Sequence, residues 1–249
     1  MEWIDEGIVI AVRPHGETSA IAEVFTRGHG RASGLVRGGR SRQMRPVLQI
    51  GNHVEATWKA RLSEHLGNFR LELQRGYAAS AMNDAARLAA LSSICTLLRH
   101  LPERDAHANL FEITMFVLSF LDDDKVWPGL VVRWELALLE ELGFGLDLSE
   151  CAATGSNDQL IYVSPKTGRA VSASAGEPYK TILLPLPGFL TKGPPSDLRP
   201  GDVEAGFRLV GFFLEKYVLL PKGERLPDVR RRMIELVCRL SNADLGLQE

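Results

Sequence analysis

Val54-Glu-Ala-Thr-Trp-Lys59 is the segment from which the fold of the first third of this 249-residue chain can be predicted. Its apolar residues alternate with polar ones, and Phe69-Arg-Leu-Glu-Leu73 repeats the alternation. A period of two sends one set of side chains to a core and the other to solvent, so both segments are predicted to be strands with one wet face. Three further short strands are predicted: Gly7–Val12, Ala20–Thr26 and Leu35-Val36. Five short strands in about eighty residues predict a small closed barrel, because closure removes the exposed edges of a sheet.

Beyond Ala78 the apolar residues repeat at the three- and four-residue spacing of helices. Helices are predicted over residues 85–101, 105–121, 128–142, 202–219 and 227–240. The sequence therefore predicts an α+β protein of more than one domain. A β domain covers residues 1–79, and a mainly helical domain covers residues 80–249 and includes a small, irregular, turn-rich lobe over 146–195.

Composition is that of a globular protein, with 45% hydrophobic and 24% charged residues. The longest strongly apolar stretch, Ile113–Leu121, is far shorter than the roughly 20 residues that a membrane-spanning helix needs. The first residues are acidic rather than basic, so no secretory signal is predicted. The three cysteines lie far apart in sequence, as in proteins of the reducing cytoplasm. We therefore expect a cytoplasmic protein with no membrane partner.

No catalytic centre is indicated by the sequence. It contains neither a G-x-S-x-G nucleophile turn nor a G-x-x-x-x-G-K-[ST] phosphate loop. His100, Asp105 and His107 could be metal ligands, but Pro102 lies among them, so a solvated turn between two helices is expected instead. We expect no catalytic residue, no metal, no cofactor and no enzymatic activity. A hydrolase whose acid, base and nucleophile converge only in space stays open as an alternative.

The strongest functional signal is a run of positive charge between residues 27 and 45. This stretch has five glycines, no Asp or Glu, and six arginines: Arg27, Arg31, Arg37, Arg40, Arg42 and Arg45. Guanidinium groups bind phosphate oxygens bidentately, and glycines allow the backbone a close approach. The first 80 residues carry 11 Lys and Arg against 8 Asp and Glu, whereas the remaining 169 carry 18 against 23. A basic patch on a nearly neutral chain predicts a nucleic-acid partner, with a solvated loop that only keeps the chain soluble as the alternative.

The end of the fourth predicted strand extends this patch. Lys59 and Arg61 lengthen the basic track, and together with the six arginines they are predicted to contact phosphates with little base preference. Small β-barrels hold single strands by combining a basic groove with aromatic platforms for the bases. Trp58 is the candidate platform because of its basic neighbours, although its place on the apolar side of the alternation favours a core position.

A family resemblance is carried by five segments: Arg13-Pro-His-Gly-Glu-Thr18, Gly38-Gly-Arg40, Trp134-Glu-Leu-Ala-Leu-Leu-Glu-Glu-Leu-Gly143, Val163-Ser-Pro-Lys-Thr-Gly-Arg-Ala-Val171 and Leu184-Pro-Leu-Pro187. In their order and spacing these segments resemble the RecO family of bacterial recombination mediators over nearly the whole chain. The resemblance implies an N-terminal OB-fold barrel followed by a helical domain, which agrees with the β-then-α pattern.

The resemblance also implies a function. RecO proteins bind single- and double-stranded DNA and anneal complementary strands. They work with RecR to let RecA displace the single-strand-binding protein, whose acidic C-terminal tail they contact. By resemblance we expect a monomeric, nucleoid-associated mediator of DNA repair that is not an enzyme. A protein-interaction adaptor that reaches DNA only through its partners is the alternative, and it would show no salt-sensitive affinity for DNA.

One departure concerns a zinc site that some RecO proteins build from two C-x-x-C pairs. By resemblance the first pair corresponds to Cys151 and Thr154, and the second falls near Ser172 and Ala175. One thiolate cannot hold a tetrahedral zinc ion. We therefore expect the lobe over 146–195 to be zinc-finger-like but to lack the metal ligands.

Overall fold

A computed structural model describes these residues of the chain: 1–62, 65–191 and 198–244. The chain divides into two compact units, Met1–Asp122 and Asp123–Glu249. The first unit reaches beyond residue 79, where the sequence pattern places the domain boundary. The reason is that two helices following the barrel pack on its strands, as described below.

The first unit is built on a barrel of five strands. They are β1 (Glu2–His15), β2 (Ser19–Thr26), β3 (Gly30–Val36), β4 (His53–Lys59) and β5 (Gly67–Arg75). The strands close in the order β1-β2-β3-β5-β4, and neighbours are antiparallel except β3 and β5, which run parallel. The predicted N-terminal barrel is confirmed, and its five closed strands are those of an OB-like fold.

Alternation in β4 and β5 places their apolar residues in the barrel core. Val54, Ala56 and Trp58 of β4 are buried, and so are Phe69 and Leu71 of β5. The same core takes apolar residues from β1, β2 and β3. Burial of each large apolar side chain contributes about 1.5–3 kcal/mol to folding, so the period-two pattern is what holds the barrel together.

Two glycines make room for the large rings of this core. A Cβ atom on Gly67 would lie 2.1 Å from the indole of Trp58, and one on Gly34 would lie 2.5 Å from the ring of Phe69. Gly34 and Gly67 are also paired with each other where β3 meets β5. The two parallel strands are therefore joined at positions that carry no side chain to displace an aromatic ring.

Three helices complete the first unit: α1 (Tyr77–Ala81), α2 (Ala85–Leu98) and α3 (Ala108–Ser119). The carboxylate of Asp84 caps α2 by accepting two backbone N–H groups of its first turn. α2 lies on β1, with the Cys95 thiol 3.9 Å from the carbonyl oxygen of Val9. Phe111 of α3 meets Phe25 of β2 at 5.8 Å between ring centroids. These contacts tie both helices to the barrel.

The second unit is mainly helical and holds a small sheet, which confirms the predicted helical part of the fold. Its elements are α4 (Trp127–Glu141), β6 (Leu160–Val163), β7 (Ala170–Ser172), α5 (Ala173–Gly176), β8 (Leu184–Pro185), α6 (Asp202–Phe213) and α7 (Asp228–Asp244). A π-helical turn, Leu214–Leu219, continues α6. The sheet has the strand order β7-β6-β8 and forms the predicted lobe, of which residues 192–195 lie outside the described part of the chain.

A buried ion pair joins two helices of the second unit. Arg230 of α7 donates from Nε and Nη2 to the two carboxylate oxygens of Glu135 in α4, at 2.7 and 2.8 Å. The exposed fraction of the two side chains is 4% and 0%.

Among the helices that the structure describes, none combines the length and the hydropathy required to cross a membrane.

Candidate nucleic-acid interface

The second half of the arginine-rich stretch, residues 37–45, forms turns that follow β3. We call these residues the arginine segment. The backbone N–H of Gly39 donates to the Val36 carbonyl at 3.1 Å, and that of Arg40 donates to the Thr18 carbonyl at 3.0 Å. Gly38 has a positive φ of 66°, a conformation that favours glycine. The arginine segment is thereby fastened both to the end of β3 and to the connection between β1 and β2.

Four arginines of this segment form a surface of concentrated positive charge. Arg37, Arg40, Arg42 and Arg45 are all exposed, and within the described residues none of them forms an ion pair with a carboxylate. Arg40 donates from Nη1 to the Gly16 carbonyl at 3.1 Å, which leaves its other donors to solvent. Guanidinium forks that are exposed, close in sequence and not neutralised are suited to the phosphates of a nucleic-acid backbone.

Arg27 and Arg31 have different surroundings. Arg27 is exposed and pairs with Glu112 of α3 at 2.8 Å. The side chain of Arg31 is only 16% exposed and pairs with Glu23 of β2. Its Nε also donates to the carbonyl oxygen of Leu101 at 3.0 Å. Arg31 therefore fastens the β2–β3 hairpin to the connection after α2, and the structure does not bring it together with the four arginines of the arginine segment.

Replacing Arg31 by methionine should lower stability, and it should leave the salt dependence of any nucleic-acid binding unchanged. The change leaves the buried Glu23 carboxylate with Arg99 as its remaining ion-pair partner, at 3.2 Å, and leaves the Leu101 carbonyl without this donor. Losing hydrogen bonds to a charged group costs about 1–3 kcal/mol of unfolding free energy, measurable by urea unfolding. Arg42→Met is the matched control and should change stability by less than about 0.5 kcal/mol. A normal urea midpoint with a weaker salt dependence of nucleic-acid binding in Arg31→Met would instead make Arg31 a contact for the nucleic acid.

Lys59 and Arg61 lie at and just beyond the end of β4, and both are exposed. Lys59 donates from Nζ to the Glu2 carboxylate at 2.9 Å. That hydrogen bond lowers the pKa of the Glu2 carboxyl and raises the pKa of the Lys59 ammonium. Arg61 forms no ion pair among the described residues. Both residues are accessible to a ligand, with the charge of Lys59 already partly balanced by its own partner.

The prediction that Trp58 could stack on a base is wrong. Its side chain is buried, at 3% exposure, and its indole Nε1 donates to the Ser33 carbonyl at 3.1 Å. Trp3 stacks on the same ring with centroids 5.5 Å apart. The physical reason is the alternation of β4, which sends Trp58 to the core side, where Gly67 leaves space for its ring.

The structure has an aromatic stack at the edge of the barrel that the sequence analysis does not predict. Trp3 is half-buried and stacks on His29 at 4.3 Å with ring planes 8° apart. His29 is held by its Nδ1 atom, which lies 2.9 Å from the Asp5 carboxylate. β1 begins at Glu2, earlier than the sequence pattern suggests. The signal that could have found Trp3 is the alternation of Trp3 with charged neighbours before Gly7.

The lobe of the second unit brings together some of the residues that the resemblance pairs with zinc ligands. The backbone N–H of Ser172 lies 3.3 Å from the sulfur of Cys151. Burial raises the pKa of the Cys151 thiol, but hydrogen bonds from Ser172, Thr154 and the backbone of Ala153 outweigh it and lower the pKa to about 6. Within the described ranges, no three or more His, Cys, Asp or Glu side chains are grouped to hold a metal ion. At these positions the lobe holds a single thiol, that of Cys151, surrounded by hydrogen-bond donors.

Comparisons with known proteins cover both halves of the chain. A family model described as "Recombination protein O N terminal" matches residues 1–77, and one described as "Recombination protein O C terminal" matches residues 82–226. These two ranges meet close to the sequence-based boundary at residue 79 rather than at the end of the first compact unit.

Curated relatives with the name "DNA repair protein RecO" match over nearly their full length. The protein from Mesorhizobium japonicum is 53% identical over 230 residues, which are 92% of this chain and 91% of the relative. The protein from Methylobacterium nodulans is 50% identical over 250 residues, covering 99% of this chain and all of the relative. The protein from Rhodospirillum centenum is 51% identical over 238 residues, 94% of each chain. With both family models and relatives at this level of identity, the chain belongs to the RecO family.

Proposed function

We propose that this protein is a DNA-binding mediator of recombinational DNA repair that anneals complementary single strands and is not an enzyme. Family membership supports the repair role, since the curated relatives carry the name DNA repair protein. The observation that carries the DNA-binding step is the set of four exposed, unneutralised arginines on the first unit. These are Arg37, Arg40, Arg42 and Arg45, with Arg61 and Lys59 as an extension of the same track.

Electrostatics accounts for how such a surface binds. Each cation that neutralises a phosphate releases condensed counterions, and this release drives binding entropically. Four phosphate contacts give a slope of about −3 for log affinity against log salt with single-stranded DNA, so affinity should fall about fiftyfold between 50 and 200 mM salt. Because the contacts are with phosphates, they carry little sequence preference and serve single- and double-stranded DNA alike.

Annealing follows from the same neutralisation. Two complementary strands repel each other through their phosphates, and a protein surface that binds both strands lowers this repulsion. Arginine suits this role because it keeps its charge at any working pH and binds phosphate in a planar fork. No covalent step is required, so the proposal needs no catalytic residue, metal or cofactor.

Further parts of the proposal concern partners. By family membership we propose that the protein acts with RecR, contacts the acidic C-terminal tail of the single-strand-binding protein, and thereby helps RecA to load on DNA. We propose a monomer that works in the cytoplasm at the nucleoid. Membership of the family supports these statements.

Fluorescence anisotropy with a labelled oligonucleotide, combined with annealing of two complementary labelled oligonucleotides, tests the proposal. We expect binding with a slope near −3 and a protein-dependent increase in annealing rate, because both depend on phosphate neutralisation. Absent or salt-insensitive binding by the purified protein would contradict the proposal. It would favour an adaptor that reaches DNA only through partner proteins.

A further inference from the structure

A cleft opens in the barrel where β3 and β5 part. In the described register the two strands pair at only two positions, Gly34 with Gly67 and Leu35 with Asn68. Beyond these positions a cavity of about 470 Å³ lies between the strands, next to the arginine segment. We call it the β3–β5 cleft. Its volume falls within the range of about 300–1,000 Å³ that is typical of small-ligand sites.

The lining of the cleft has an apolar floor. Val36, Phe69 and Leu71 contribute buried side chains, and Leu35 and Met44 contribute half-buried ones. Met44 belongs to the arginine segment and packs against the barrel core. An aromatic group that contacts this floor would exclude water from apolar surface, which favours its binding.

Cations and one amide form the rim. Arg37, Lys59 and Arg70 line the cleft, and all three are exposed. Lys59 and Arg70 have carboxylate neighbours at 2.9 Å, Glu2 and Glu72, whereas Arg37 forms no ion pair among the described residues. Asn68 is exposed on the rim, and its amide offers two donors and an acceptor. The charged member with the most freedom to bind an anion is therefore Arg37.

We propose that the β3–β5 cleft accepts one unstacked base of single-stranded DNA. In this arrangement Arg37 holds a neighbouring phosphate and the Asn68 amide meets the hydrogen-bonding edge of the base. The inference rests on the proposed function and deepens it. A nucleotide is the ligand whose two parts match the two parts of the cleft: a flat base for the apolar floor, and a phosphate for the cationic rim. The arginine segment leads to the cleft, because both Arg37 and Met44 line it.

A functional consequence distinguishes single strands from duplexes. A base in a duplex is stacked and paired, so only an unpaired strand can place a base in the cleft without an unstacking cost. The arginines then provide affinity for any DNA, and the cleft adds affinity for single strands alone. The captured base must leave the cleft before it can pair, so capture of a base should slow the last step of annealing.

The experiment compares two oligonucleotides with the same length and the same number of phosphates, one of thymidines and one of abasic tetrahydrofuran units. Stacking of one base contributes about 1–3 kcal/mol, so the thymidine strand should bind the full-length protein about 5- to 150-fold more tightly, with equal salt slopes. Asn68→Ala and Met44→Ala should each reduce this ratio toward one. Leu73→Ala, on the same strand β5 but outside the cleft lining, should leave the ratio unchanged.

Each outcome decides between specific alternatives. Equal affinity for the two oligonucleotides with a slope near −3 would overturn the cleft inference while the proposed function stands. No binding of either oligonucleotide would overturn the proposed function itself. The comparison of oligonucleotides uses the unmodified protein, so a variant that does not fold leaves the test intact.

Discussion

Replacing Arg37, Arg40 and Arg42 together by glutamine should weaken binding of single-stranded DNA about a hundredfold at 100 mM salt. Three phosphate contacts at a slope of roughly 0.7 each account for this loss, and the salt slope should fall from about −3 to about −1. The three side chains are exposed and make no ion pair within the described residues, so their loss removes no structural contact of that kind. Fluorescence anisotropy across a salt series measures both quantities.

A matched control separates position from net charge. Arg208, Arg225 and Arg231 are exposed arginines of the second unit, and their replacement by glutamine changes the net charge of the chain by the same amount. This second triple variant should keep a slope near −3 and lose affinity by less than about threefold, because the phosphate contacts proposed for the arginine segment stay in place. Equal losses in the two triple variants would contradict a site on the arginine segment. Urea unfolding of both should stay within about 0.5 kcal/mol of the unchanged protein.

The barrel and the basic surface are the parts that the sequence alone could predict. Period-two alternation is a local property of the sequence. Val54, Ala56 and Trp58 follow this alternation because every second side chain of the strand lies in the core. The absence of Asp and Glu from residues 27–45 is local too, and it leads to the four exposed arginines. Composition and periodicity are read along the chain, so they succeed wherever the deciding neighbours are close in sequence.

Features that depend on distant neighbours could not be predicted in this way. Arg31 looks like the other arginines in the sequence, yet its partner Leu101 is 70 residues away. The β3–β5 cleft arises because a parallel pairing brings Leu35 beside Asn68, and no local pattern announces that pairing. The compact unit that ends at Asp122 depends in the same way on contacts between α2, α3 and the barrel.

The run Arg230-Arg-Arg232 also shows that a local pattern cannot tell a buried arginine from an exposed one. Replacing the buried arginine of this run has the largest expected effect on stability. Arg231 is 73% exposed and, among the described residues, pairs with Asp228, three residues before it. Arg230 is almost fully buried, donates to both oxygens of Glu135, and also donates from Nη2 to the Phe207 carbonyl at 2.8 Å. Gly211 leaves room for this guanidinium, since a Cβ atom there would lie 2.9 Å from its Nη1 atom.

Arg230→Ala should lower the free energy of unfolding of the second unit by about 3–5 kcal/mol. The substitution leaves the Glu135 carboxylate buried and unpaired, and an uncompensated buried charge is far more costly than a lost surface contact. Urea unfolding followed by far-UV circular dichroism measures the loss. Arg231→Ala is the matched control and should change stability by less than about 0.5 kcal/mol, because an exposed ion pair contributes little.

A second variant separates loss of the pair from loss of packing. Arg230→Met combined with Glu135→Leu removes both charges and keeps apolar volume, so it should recover most of the stability lost in Arg230→Ala. A double variant as unstable as the single one would show that the guanidinium acts through Phe207 and Gly211 rather than through Glu135. At a temperature where each variant is folded, affinity for single-stranded DNA should stay within about twofold, because the arginine segment belongs to the first unit. The two largest effects are thus expected to be independent: charge on the first unit sets DNA affinity, and one buried pair in the second unit sets its stability.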